Sequence, residues 1–162
     1  MPKYRLLSKE ELAPLEKEFI DYLVVNGVTA DDWVKMKAES PENAEEILAL
    51  FSDVVFEGIL RKVSFLDFRS KNEVRAFQCL EDKIIMVGMR APASATVDFT
   101  DARFLQRATT DSPEDLEIYT SEKAYKDSRE QELFRMTEQG CEISDGHLFK
   151  TLMLAWAQNK SQ

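Results

Sequence analysis

The sequence is poor in the residues on which most enzyme signatures depend. Its 162 residues hold one histidine, two cysteines, five glycines and five prolines. A lone histidine, His147, excludes a His-rich metalloprotease motif and any Ser–His–Asp triad that does not run through it, and no serine stands in a nucleophile motif. Cys79 and Cys141 are far apart and make no CxxC pair, so both are expected to be reduced thiols. The few glycines form neither a Walker loop nor a dinucleotide fingerprint, and no cofactor is expected. The longest apolar run, Ile84–Met89, is too short to cross a bilayer. Met1–Arg5 leads into no apolar secretory segment. The expectation is a cytoplasmic protein with no membrane contact. Internal repeats, heptad arrays and low-complexity stretches are also missing.

What the chain does have is material for a core. It is 44% hydrophobic, with ten Phe and two Trp, and its length fits one globular domain over residues 1–162. The net charge is −9 and uneven. Residues 1–60 carry 6 Lys/Arg against 13 Asp/Glu, residues 61–110 carry 9 against 6, and residues 111–162 carry 6 against 11. An acidic whole disfavours nucleic acid and anionic membrane as partners, leaving the basic middle as the one region that opposes this.

The dominant stretch is Pro41–Arg90. Ile47, Leu48, Phe51, Val55, Ile59, Val63 and Leu66 recur at steps of three and four and predict a helix along one face. Ser40 fits the cap and Pro41 the first helical position. Gly58 inside it suggests a close packing contact. The competing reading ends the helix at Gly58 and makes residues 59–68 a strand. Upstream, Ser8 and Glu11 form a capping box for a helix through Leu12, Leu15, Phe19, Ile20 and Leu23 that stops at Gly27. Thr29 and Asp32 open a shorter helix ending before Pro41. Downstream, Val74–Leu80 and Ile84–Met89 flank Glu81-Asp82-Lys83 and predict an antiparallel hairpin. A short strand is expected at Thr96–Phe99 and a helix capped by Thr100. Residues 110–115 read as a loop, and Leu116–Tyr119 as a strand. A helix from Asp127 to Gly140 and a last helix capped by Ser144 complete an α+β fold. It has three N-terminal helices, a small antiparallel or mixed sheet with one inserted helix, and two C-terminal helices.

Two stretches carry a resemblance. They are Phe51-Ser52-Asp53-Val54-Val55-Phe56-Glu57-Gly58-Ile59-Leu60-Arg61-Lys62-Val63, and Lys123-Ala124-Tyr125-Lys126-Asp127-Ser128-Arg129 with Glu138-Gln139-Gly140-Cys141-Glu142-Ile143. Together the chain resembles an uncharacterised family of short cytoplasmic proteins of Bacteroidetes-type bacteria, a domain of unknown function. The resemblance implies a bacterial, single-domain protein and brings no activity, cofactor or catalytic residue.

Three constellations could carry chemistry. Cys141, Glu142, Asp145 and His147 crowd one turn and offer metal-ligand types, although a polar turn between Gly140 and Ser144 explains them equally. The order helix, strand, strand, strand, helix, strand is that of restriction-endonuclease-like nucleases. There Glu81 and Lys83, with Asp67 or Glu73, would hold Mg²⁺ and activate water. A plain hairpin turn accounts for Glu81-Asp82-Lys83 as well. Arg61, Lys62, Arg69, Lys71 and Arg75, with Phe65, Phe68 and Phe77, could make an RNA or phosphate face within residues 61–107, or simply a solvated basic face and a core. The leading expectation is a noncatalytic protein that works through contact with a protein partner or a second copy. The first alternative is a Mg²⁺-dependent nuclease-like or phosphate-ligand enzyme on the central β-region, and the second is an RNA-binding module.

Overall fold

The computed structural model describes residues 2–92, 97–110 and 116–160. Two compact units are described in turn, Met1–Arg61 and Lys62–Gln162.

The first unit is helical, and local signals set its boundaries. Ser8 accepts the N–H of Glu11 while the Glu11 carboxylate accepts the N–H of Ser8, opening α1 (Lys9–Leu12). Pro14 has no N–H to continue the helix. The chain tightens there into a 3₁₀ turn, Ala13–Leu15, before α2 (Glu16–Val25), so the continuous helix expected from sequence is interrupted. Gly27 leaves α2 with φ +76, a left-handed conformation natural to glycine. A second capping box, Thr29 with Asp32, starts α3 (Ala30–Glu39), and α4 follows at Pro41–Arg61. Phe19 packs edge-on against Trp33 and Phe51, with centroids 5.1 and 5.0 Å apart.

The first resemblance stretch ties the N-terminal segment to α4. Asp53 accepts the N–H groups of Lys3 and Tyr4 at 2.7 and 3.0 Å. Buried Ser52 accepts the N–H of Leu7 and donates to the Leu48 carbonyl. Glu57 takes the Tyr4 hydroxyl.

The helix expected to reach Leu66 ends at Arg61, and β1 (Phe65–Arg69) begins four residues later. The alternative strand start at Ile59 is too early. Val63 and Leu66 are buried as the periodicity demanded. Leu66 nevertheless lies in a strand, because β1 is hydrogen-bonded on both edges. Gly58 marks no packing contact, since beyond its chain neighbours and the backbone of its own helical turns no described heavy atom lies within 4 Å of where its Cβ would be.

In the second unit, β2 (Glu73–Cys79) and β3 (Lys83–Arg90) form the expected hairpin. With β4 (Glu117–Ala124) and β5 (Glu142–Ser144) they make a five-stranded sheet in the order β4-β3-β2-β1-β5, antiparallel at every pairing. The inserted helix α5 (Ala102–Thr110) lies between β3 and β4 in sequence, α6 (Arg129–Glu138) precedes β5, and α7 (His147–Lys160) closes the unit. Val74, Ala76, Val87 and Met89 alternate onto one sheet face. There they pack with Leu105 and Ala108 of α5 and Leu148, Phe149 and Leu152 of α7.

Several expectations change here. Val97–Phe99 is not a strand, and Thr96 lies outside the described residues, as do residues 111–115 of the expected loop. Asp101, not Thr100, caps α5 by accepting the N–H of Arg103 at 2.9 Å. The turn after Gly140 contains β5, which sequence reading missed. Ser144 ends that strand, and Asp145 accepts the N–H of His147 at 2.9 Å at the start of α7.

The second resemblance stretch is a clamp. Tyr125 donates its hydroxyl to the Leu80 carbonyl at 2.7 Å. The Arg129 guanidinium donates to the carbonyls of Leu80, Cys79 and Val63. Ser128 caps α6, while buried Glu132 accepts the N–H of Lys126 and pairs with Lys123. These residues of the second stretch fasten the ends of strands.

Candidate functional site

Asp67 and Arg69 alternate onto the same face of β1 and look toward α5 and the start of α7. A cleft of about 650 Å³ opens there, lined by Asp67, Arg69, Gln106, Thr109, Asp145 and His147 among others. Ser144 lies opposite Phe65 in the β1–β5 pairing and donates its hydroxyl to Asp67 at 3.0 Å. Ser144 in turn accepts the N–H of Gly146. Gly146 has φ +89, and a Cβ on it would meet the Phe65 ring at 2.6 Å, so the turn into α7 needs glycine. Burial pushes the Asp67 carboxyl above its usual range. The Ser144 hydrogen bond and Arg69 oppose that rise, and the carboxylates of Asp145 and Glu142 add to it.

Two constellations that the sequence kept apart meet in this cleft: Asp67 from the nuclease set, and Asp145 and His147 from the metal set. Arg69, read as part of a basic face, is their neighbour. Gln106, Thr109 and Thr151 complete the lining and were not foreseen; they carry no local signal. A fork-shaped guanidinium beside a carboxyl whose hold on a proton burial strengthens can bind an anionic group.

The remaining candidates are dispersed. Glu73 lies on the opposite sheet face, where it accepts two N–H groups of Arg75 at 2.9 and 3.0 Å and the Tyr119 hydroxyl. Glu81 is exposed at the hairpin turn, and Lys83 pairs with Glu122 at 3.3 Å. Asp67, Glu73 and Glu81 do not converge. Cys141 is half-buried, which raises its thiol, and Glu142 is exposed. Among the described residues no three His, Cys, Asp or Glu side chains come together to hold a metal ion. In the second unit Lys62 and Lys71 are exposed, while Arg69 and Arg75 are on opposite sheet faces, with Arg75 over the Phe68 ring at 5.8 Å. Arg61 ends α4 beside Glu57. The sheet therefore splits the basic set.

The first unit offers a different kind of surface. Phe19, Ile20, Leu23, Val24, Trp33 and Val34 line a groove of about 290 Å³ between α2 and α3. Val24 and Val34 are 65% and 63% exposed and Ile20 is 48% exposed, unusual values for side chains grouped on one groove. Among the described residues no helix is long and apolar enough to cross a membrane.

No curated protein and no solved structure matches the chain. Residues 1–156 match the model of DUF6495, a family of unknown function, and the chain belongs to that family.

Proposed function

We propose that this chain is a noncatalytic cytoplasmic protein of bacterial origin that acts by binding a partner helix in the α2–α3 groove. The observation that carries this reading is the exposed apolar row of Ile20, Val24 and Val34 beside the Phe19–Trp33 pair. The partner is a helix with an apolar stripe flanked by Lys or Arg. Apolar anchors at helical spacing fill such a groove, and the 13 Asp/Glu against 6 Lys/Arg of residues 1–60 favour a basic flank. The free thiols of Cys79 and Cys141 accord with a reducing compartment. The test is a photoreactive residue placed in cells at Val24, at Val34 and, as control, at Glu81. The reading requires one partner joined through a basic amphipathic helix from both groove positions, lost with Ile20→Glu. Labelling no stronger than at Glu81 overturns it.

A second reading rests on the cleft that holds Asp67, Arg69, Asp145 and His147. It makes the second unit an enzyme or receptor for a small phosphate- or carboxylate-bearing molecule, with Arg69 on the anion and Asp67 beside it. Thermal shifts with a panel of phosphate monoesters and carboxylates, repeated on Arg69→Ala, test it. A shift that survives the substitution places the ligand elsewhere.

A further inference from the structure

The outer edge of β4 is eight residues long, and β3 is its one sheet neighbour among the described residues. The phase of its hydrogen bonds follows from the hairpin. Leu80 N–H donates to the Lys83 carbonyl, and each residue of an antiparallel strand bonds alternately to its two neighbours. Ile84, Met86, Gly88 and Arg90 therefore bond toward β4, facing Lys123, Ser121, Tyr119 and Glu117. Ile118, Thr120, Glu122 and Ala124 turn their N–H and C=O groups outward, where no described backbone group meets them. Such a row is a template for another strand, and proteins usually blunt it with proline, a bulge, a short strand or a charge. Glu117–Ala124 holds no proline or glycine and pairs with β3 without a bulge. Its charges are the one defence left.

Those charges select a partner. We propose that two copies of this chain join antiparallel through β4, about a two-fold axis at Thr120, into one continuous sheet. In this register Ile118 faces the partner's Glu122 and Thr120 faces its own symmetry mate, each facing pair exchanging two backbone hydrogen bonds. On the other sheet face Glu117 meets the partner's Lys123 at both ends of the contact. Centring on Ser121 loses both charge pairs, and centring on Glu122 opposes two like charges. The Thr120 register is the one in which the edge complements itself. Glu117 and Lys123 have internal partners in Arg90 and Glu132, yet their side chains are 65% and 62% exposed and remain within reach of a second copy.

The test is the oligomeric state of the full chain by sedimentation over a range of concentrations. A dimer is expected, and Thr120→Pro should make it a monomer. Thr120 donates outward, so that substitution removes no hydrogen bond to β3, and the circular dichroism spectrum should be retained. Glu117→Lys provides a variant that leaves the strand backbone untouched. It should weaken the dimer by about tenfold, because two facing pairs turn from attraction to repulsion. The swap Glu117→Lys with Lys123→Glu should restore it. The groove substitution Ile20→Glu should leave it unchanged, which separates this contact from the α2–α3 reading. A monomer at every soluble concentration overturns the proposal. So does a dimer indifferent to both Thr120→Pro and Glu117→Lys, or a foreign strand occupying β4.

Discussion

The ring of Tyr119 packs against Gly88 across the β3–β4 pairing, so close that a Cβ on residue 88 would sit 2.5 Å from Cζ. The ring cannot simply swing away, because its hydroxyl is held by Glu73 and Arg90 stacks on it at 4.7 Å. Gly88→Ala should therefore destabilise the second unit by about 1–3 kcal/mol, the usual range for an overpacked site. In the Tyr119→Ala background the same change should be far milder. Urea unfolding of the four proteins of this cycle measures the coupling.

Arg129 fastens three backbone carbonyls of the second unit at once. Its guanidinium satisfies the carbonyls of Val63, Cys79 and Leu80. Arg129→Ala should cost about 3 kcal/mol, as expected when hydrogen bonds from a charged group are removed from sheltered acceptors. Arg129→Lys should recover only part of this, because a point ammonium lacks the planar fork. Hydrogen exchange should show the loss first near the β2–β3 turn.

Ser52 plays the matching part in the first unit. Ser52→Ala leaves the buried N–H of Leu7 without its acceptor, at a cost of about 1–3 kcal/mol. Ser52→Thr keeps the oxygen and tests whether the hydroxyl or the volume matters. Thermal unfolding reads both.

Two carboxyls give opposite pH signatures. Hydrogen bonding from Arg5, followed by the Ser8 N–H, lowers Glu11 from 4.5 to about 2. Its folded pKa lies below its unfolded one, so its contribution is fully present above pH 4.5 and fades as pH falls toward 2. Glu11→Gln should remove that acid-side slope. Asp67 is raised by burial. The folded state there favours the proton, and stability falls as pH climbs above the ordinary value of 3.8. Asp67→Asn should thus be more stable than the natural chain at neutral pH, with the gap closing in acid. Denaturation midpoints across pH 2–7 check both signs. A neutral substitution that gains stability would mark Asp67 as a group retained against the interest of folding.

Residues 1–61 were nearly legible from sequence because their signals are local. Capping boxes at Ser8 and Thr29, proline at position 41 and glycine at position 27 act within one helical turn. The β2–β3 hairpin was legible for the same reason. The break at Pro14 was written in the chain and passed over, since the apolar spacing runs through it. The end of α4 was not legible. Val63 and Leu66 keep helical spacing, and only the two-sided pairing of β1 makes the second of them a strand residue.

The candidate cleft shows the same division more sharply. Sequence alone determined which side chains could do chemistry: one histidine, a handful of carboxylates and a basic middle. Their grouping depended on β5, three residues with no strand signal of their own, which form a strand because β1 offers an open edge. That pairing brings Ser144 onto Asp67 and sets Asp145 and His147 beside Arg69. Side-chain identity and local propensity belong to the sequence. Register and sheet face are cooperative properties of strands distant in the chain, and only the tertiary structure decided them.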